Sequence, residues 1–300
     1  MTDAIDLTNR REPIEKAIQG GRSLWDDAKA RLFRNKAAVT SMWILGILVA
    51  IAVIGPFVWV HDYRTITTNG ELSPTLENWH ILGTDQQGRD LFARLMIGLR
   101  ISLAVGLVAT IVSLIIGVTW GAVAGFVGGR VDNIMMRFVD VLYAMPFIFF
   151  VILLLTVFGR NIILIFAAIG AVEWLTMSRI VRGQTLAIKN KEFIEAARAT
   201  GVPFVTMIRR HILPNVVGPV AVYVTLTIPV VIMAESFLSF LGLGVNEPLT
   251  SLGVLISQGA REMQDKPWML MAPALTMMVT LLCLNFIGDG LRDALDPKER

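Results

Sequence analysis

Residues 101–126 read ISLAVGLVATIVSLIIGVTWGAVAGF, twenty-six consecutive positions without a charged side chain. A helix rising 1.5 Å per residue would make this stretch about 39 Å long, enough to cross a hydrocarbon layer about 30 Å thick. Strand-like alternation is absent, which argues against a β-barrel. Working outward, five further runs have the same character: Ala38–Val60, Phe138–Phe158, Asn161–Ser178, Val216–Phe240 and Trp268–Gly288. The whole 300-residue chain agrees, with 54% hydrophobic residues, 17% charged residues and a mean hydropathy of +0.63. A soluble domain carries about 25% charged residues, so these charges are too few to coat a soluble particle. Disorder is excluded by the wealth of Leu, Ile, Val and Phe. The expected fold class is therefore all-α integral membrane, with six transmembrane helices.

Lys and Arg set the expected orientation. With a cytoplasmic N-terminus, twenty of them fall on inside segments and seven on outside segments, which predicts cytoplasmic N- and C-termini. Residues 1–37 then form a cytoplasmic amino-terminal arm, without the apolar core of a cleavable signal peptide. Residues 38–60 are the first transmembrane helix and 61–100 an external loop. Residues 101–290 form a five-helix core containing a cytoplasmic loop, 179–215, and 291–300 form a cytoplasmic tail. The external segment 241–267 has room for a short re-entrant or interfacial helix. A net charge of +3 without a basic block of five or six residues does not suggest nucleic acid. Cys283 lies in an apolar run and reads as a small buried hydrophobe. His61, His80 and His211 lie in loops without metal-ligand spacing, so no metal site is expected.

Several span residues stand out. Gly117, Gly121 and Gly125 share one helix face, where a second backbone can approach closely. They read as bundle packing or as a moving contact. Pro56, Pro146, Pro219, Pro229 and Pro273 each remove a helical hydrogen bond, and the pair in the fifth span makes Pro229 a candidate hinge. Ionisable groups at membrane depth are costly and need partners. Asp140 is expected to pair with Arg137, and Glu173 with Arg179. Glu235 reads as the deepest of the three. In the internal loop, 191–199 reads as a short amphipathic helix, Gly201-Val202-Pro203 as a break, and Phe204–His211 as a second helix ended by Leu213-Pro214. Together they form either a knob with small residues at its tip or a hairpin lying on the membrane surface.

Glu195-Ala196-Ala197, three residues, Gly201, nine residues and then His211-Ile212-Leu213-Pro214 resembles the EAA loop of ABC importer permeases, which usually have Ile where His211 stands. Gly83-Thr84-Asp85 with Gly88-Arg89-Asp90, Gly128-Gly129-Arg130-Val131-Asp132, the run Glu235–Gly244, and Asp289-Gly290-Leu291-Arg292-Asp293 resemble the dipeptide/oligopeptide/nickel permease family. Arg179–Leu186 and Asp293–Pro297 look most like the C-type permease subunit of the oligopeptide importer. The resemblance implies a type I importer permease in a bacterial inner membrane, importing peptides by alternating access. Dipeptide, glutathione or nickel transport within the same family is the alternative, and an ion-coupled secondary transporter is the reading from another class.

The resemblance also implies partners: a second homologous permease subunit, two cytoplasmic ABC ATPases and an external peptide-binding protein. No Gly-x-x-x-x-Gly-Lys-[Ser/Thr] phosphate loop is present, so no catalytic residue or cofactor is assigned to this chain, and ATP with Mg would sit on the ATPases. Glu195, Ala196, Ala197, Gly201, His211, Leu213 and Pro214 are the implied ATPase-coupling residues. Asp85, Arg89 and Asp90 are candidates either for contact with the binding protein or for ordering the external loop. Glu235, Gly117, Gly121, Gly125 and Pro229 are candidates for the translocation path or for helix packing, with Glu235 expected to face an inter-subunit cavity or a partner on the other permease.

Overall fold

The computed structural model describes residues 24–67, 70, 72–159 and 162–295. Most of the amino-terminal arm, Asn161 of the fourth expected span and Pro297 of the tail lie outside the described residues. The described chain is helical, and its only strand-like pairings are two isolated bridges, Ile66 with Arg89 and Thr84 with Asp90. In chain order the helices are α1 (Leu24–Arg34), α2 (Lys36–Val58), α3 (Leu91–Val127), α4 (Gly129–Ala144), α5 (Phe147–Phe158), α6 (Ile162–Ile188), α7 (Glu192–Ala199), α8 (Leu213–Phe240), α9 (Leu252–Arg261) and α10 (Pro267–Leu295). A single turn, Phe204–Thr206, and a π-helical stretch, Met207–Ile212, lead directly into α8.

Among the described residues, four helices are long and apolar enough to cross a membrane: α2, α3, the continuous Phe204–Phe240 rod and α10. The bent pair α4–α5 brings the number to five. The remaining expected span corresponds to α6, which has the length but carries Glu173, Arg179 and Arg182 along it.

Four boundaries differ from expectation. The second span begins at Leu91, not Ile101, because Asp90 caps it by accepting from the Ala93 amide at 2.7 Å. Arg94 and Arg100 depress the local hydropathy, yet both are partnered within the fold. The expected single span Phe138–Phe158 is instead two helices bent by 87°. Met145, the residue before Pro146, is extended (φ −76°, ψ 131°) because the proline ring crowds out its helical conformation. The internal loop is shorter than 179–215, since α6 continues to Ile188. Finally, Leu213-Pro214 does not end a helix. Pro214 lacks the amide to bond the fourth carbonyl behind it, the chain widens into a π turn just before it, and Asn215 donates to the His211 carbonyl at 2.7 Å.

The most extensive helix pairing is α3 with α6. A Cβ placed on Gly117 would lie 2.6 Å from the Met177 Cβ, one on Gly121 would strike the Ser178 carbonyl, and one on Gly125 would lie 2.8 Å from the Thr185 Cβ. The glycine stripe is the seam of this crossing. α10 packs on α2, α8 and α9, and the external segment 241–267 does contain a helix, α9, capped by Ser251 accepting from the Val254 amide at 3.2 Å.

Candidate functional site

The α6–α8 connection folds as a knob. α7 ends in a Schellman turn: the Gly201 amide donates to the Arg198 carbonyl and the Val202 amide to the Ala197 carbonyl, both at 3.1 Å. Gly201 has φ +76°, the left-handed conformation that favours glycine. The knob is anchored from beneath by buried Ile194, Met207 and Ile212, packed on Met177, Val181 and Ile188 of α6. Its outer surface exposes Glu195, Ala196, Gly201 and Pro214, while Ala197, His211 and Leu213 are half-buried. Phe193, Phe204 and Val205 are exposed beside them. Arg198 lies over the Phe126 ring, 5.2 Å from its centroid, and Phe126 meets Phe204, so the end of α3 touches the knob directly. No protein atom lies within 4 Å of the position a Gly201 Cβ would take. The knob thus presents small residues and exposed aromatic side chains over a packed base.

The other end of α3 carries a buried polar cluster. Asp85 is enclosed: its Oδ1 accepts from the Gln87 and Arg89 amides at 2.9 Å, and its Oδ2 accepts from Arg89 Nε at 2.8 Å and from Arg94 Nη1. Arg89 Nη2 reaches Glu247 Oε1 at 2.9 Å, and Arg94 Nη1 reaches Gln258 Oε1 at 3.1 Å. The Arg89 guanidinium holds the partly exposed Glu247 carboxyl below the usual carboxylate range. Asp90 accepts from Trp59 Nε1 at 3.1 Å and pairs with His80 Nδ1 at 2.8 Å. These contacts tie the external loop to α3 and to the segment carrying α9. Asp85, Arg89 and Asp90 are all at most 4% exposed, a burial that suits ordering the loop and leaves them little surface to offer a docked protein.

Other expected residues meet different partners. Asp140 pairs with Arg179 at 2.8 Å, not with Arg137, and Glu173, six residues before Arg179 on α6, lies on a different face of that helix. Glu235 does not face outward to another subunit. It is 0% exposed among this chain's own helices, accepting from Ser239 Oγ at 2.6 Å and Ser102 Oγ at 3.2 Å. Pro229 is buried inside α8. Two groupings were missed by the sequence reading. Asp132 and Arg182 form a bidentate pair at 2.5 and 2.7 Å across α4 and α6; the aspartate in a Gly-Gly-Arg-Val-Asp motif and the arginine fifty residues later gave the only signal. His61, His80 and Asp90, separated in sequence, bring possible ligand atoms within 4.8 Å of one another. The two imidazoles stack at 4.1 Å and 14°, so their in-plane lone pairs run side by side rather than converging on one ion.

Residues 117–300 match the family described as "Binding-protein-dependent transport system inner membrane component", well over half of the chain. The chain belongs to this family. Residues 23–74 also match the N-terminal TM domain of oligopeptide transport permease C. As a binding-protein-dependent inner membrane component, the chain is a transport subunit, and its family implies an ATPase and a substrate-binding protein as partners. Among its relatives, the oligopeptide transport system permease protein OppC of Haemophilus influenzae is 54% identical over 96% of this chain and 93% of its own length. OppC of Escherichia coli K12 is 53% identical over 95% of both chains. In the solved structure titled "Inward facing conformations of the MetNI methionine ABC transporter: CY5 SeMet soak crystal form", a chain superposes with TM-score 0.56 at 16% identity, covering 66% of this chain and 94% of that one. This last likeness concerns the fold alone. Most of the motifs that carry the family resemblance are packing devices here: Gly290 admits Ala38, Gly244 admits Ser239, and Asp85 and Asp132 fix arginines. The knob is the exception, because its motif residues largely face away from the chain.

Proposed function

We propose that this chain is the permease subunit of an ATP-driven, binding-protein-dependent oligopeptide importer. The observation that carries the reading is 54% identity to an oligopeptide permease along nearly the whole of both chains. The dipeptide permease DppC of Bacillus subtilis and a glutathione permease, GsiD of Shigella flexneri, stand at 45% and 36%. In the complete importer the chain pairs with a second permease subunit, with two ATPases on the cytoplasmic side and a peptide-binding protein outside. ATP and Mg are held by the ATPases, and both chain termini are cytoplasmic.

The knob is the coupling element in this reading. ATPase closure pushes on Glu195, Ala196, Ala197 and Gly201. The load passes through His211, Leu213 and Pro214 into the continuous rod of α8, and through the Phe126 contact into α3. A rigid lever of this kind converts closure of the ATPases into alternating access.

Gly201→Asp tests the coupling assignment. The space around Gly201 is open within this chain, and Asp tolerates the left-handed conformation better than most residues. The protein should insert and fold, while ATPase subunits dissociate and ATP-driven uptake collapses. Normal assembly with normal uptake would remove the knob from the coupling role. For the substrate, reconstituted complex should take up oligopeptides in an ATP-dependent manner, in preference to dipeptides and glutathione. Uptake that followed a proton gradient without ATP would refute the importer reading.

A further inference from the structure

Away from the knob and the polar cluster, α1, the start of α2 and the end of α10 border an open groove that the transport reading leaves unused. One cavity, of about 540 Å³, is lined by Arg31, Arg34, Asn35, Gly290, Asp293 and Ala294. A second, of about 470 Å³, runs between α2 and α10 from Lys36 and Thr40 toward Ile44. Along α10 the lining positions of both fall on one stripe: Val279, Leu282, Cys283, Phe286, Gly290 and Asp293. Spacings of three and four residues place them on a single helix face, so the two cavities lie end to end along α10 and are taken together as one trough. Gly290 sets its floor, because a Cβ there would lie 2.6 Å from Ala38 Cβ and keep α2 from closing on α10.

The trough is polar at one end and apolar beyond. Arg31, Arg34 and Lys36 stand around the polar end, and among the described residues none of them forms an ion pair. Asp293 is the one carboxylate in the lining, which leaves an excess of positive charge. The polar end lies at the start of α2, a helix of spanning length and apolarity, which puts it at the depth of a lipid headgroup. Inorganic phosphate would use the cations and leave the apolar groove empty.

We propose that this trough binds an anionic phospholipid, its phosphate held by Arg31, Arg34 and Lys36 and one acyl chain lying between α2 and α10. Basic pockets between spanning helices attract anionic headgroups, each surface cation contributing about five-fold in affinity. The site would fasten α1 and α10 to the membrane surface.

The test is native mass spectrometry of the assembled complex, delipidated and then offered phosphatidylglycerol and phosphatidylethanolamine in equal amounts. Phosphatidylglycerol should be retained selectively. Arg31→Gln/Arg34→Gln should lower its retention by about 25-fold, with an unchanged elution profile. Thr40→Trp, which fills the groove and keeps the charges, should also reduce retention; this variant and the parent's headgroup preference decide the matter if the double variant fails to assemble. Equal retention of the two lipids, competition by inorganic phosphate alone, or no retained lipid because another subunit covers the trough would each overturn the proposal.

Discussion

Arg100 stands beside the gap that a proline makes in a neighbouring helix. Pro56 has no amide to donate to the Ala52 carbonyl, and Arg100 Nε supplies the missing bond at 2.8 Å while Nη2 reaches the Val53 carbonyl at 2.9 Å. Arg100→Met keeps the apolar stem and leaves that carbonyl unpaired, so it should destabilise the fold by about 1–3 kcal/mol. Pro56→Ala restores a backbone donor, and in the double variant it should recover part of the loss; thermal unfolding of all four proteins gives the coupling. Additive losses would mean that Arg100 acts through something other than the proline gap. Glu235 is a second residue with a local duty. Ser239, which donates to Glu235, lies 3.3 Å from Ser251, and Ser102, its other donor, accepts from the Leu252 amide at 3.1 Å, so the Glu235 carboxyl group gathers α3, α8 and the start of α9. Glu235→Ala should cost about 1–3 kcal/mol of stability by stranding two buried hydroxyls, with peptide preference unchanged in competition assays. A changed preference at intact stability would instead place Glu235 on the translocation path.

At the scale of elements, identical residue types have opposite consequences. Gly121 sits where α3 and α6 touch, and even one methyl group would strike the Ser178 carbonyl, whereas nothing lies within 4 Å of a Cβ on Gly218 in α8. Gly121→Ala should therefore destabilise by about 1–3 kcal/mol through overpacking. Gly218→Ala should be neutral or stabilising by up to about 1 kcal/mol from helix propensity. Thermal unfolding and folded yield compare them, and equal behaviour would mean that the seam yields. Prolines divide in the same way. Pro146 breaks its helix into two limbs, while Pro214 is carried through by a π turn and the Asn215 side chain. Hydropathy missed the first break because the limb before it, α4, is amphipathic. Its acidic groups are matched, Asp132 by Arg182 and Asp140 by Arg179, and only its last residues blend into the apolar run that follows.

Across the whole molecule, the bonds between distant segments gather at two ends of α3. At the polar end Arg89 joins the external loop to Glu247, 158 positions later. Because this bond holds the Glu247 carboxyl below its ordinary range, its contribution is present above the usual glutamate pKa and is lost as the pH falls through the lowered one. The Glu247 side chain is 46% exposed, so Glu247→Gln should cost less than about 1 kcal/mol near neutral pH. The difference between parent and variant should vanish on acidification, when Glu247 is protonated in both folded and unfolded chains. A difference that stayed constant to low pH would show that the charge contributes nothing.

Apolar run length and scarcity of charge determined that this is an all-helical membrane protein, since a hydrocarbon layer admits few other ways of satisfying a backbone. The break at Gly201-Val202-Pro203 between two short helices was likewise legible, because a Schellman turn and a proline at a helix start are local structures written in local residues. What only the tertiary structure decided is where each buried charge goes. Arg94, expected in the external loop, is buried in α3 against Asp85, and Arg179 pairs with Asp140, 39 positions earlier on another helix. Sequence proximity ranks partners along one helix, but a desolvated charge is settled by whichever opposite charge the packing of separate elements brings within hydrogen-bonding distance.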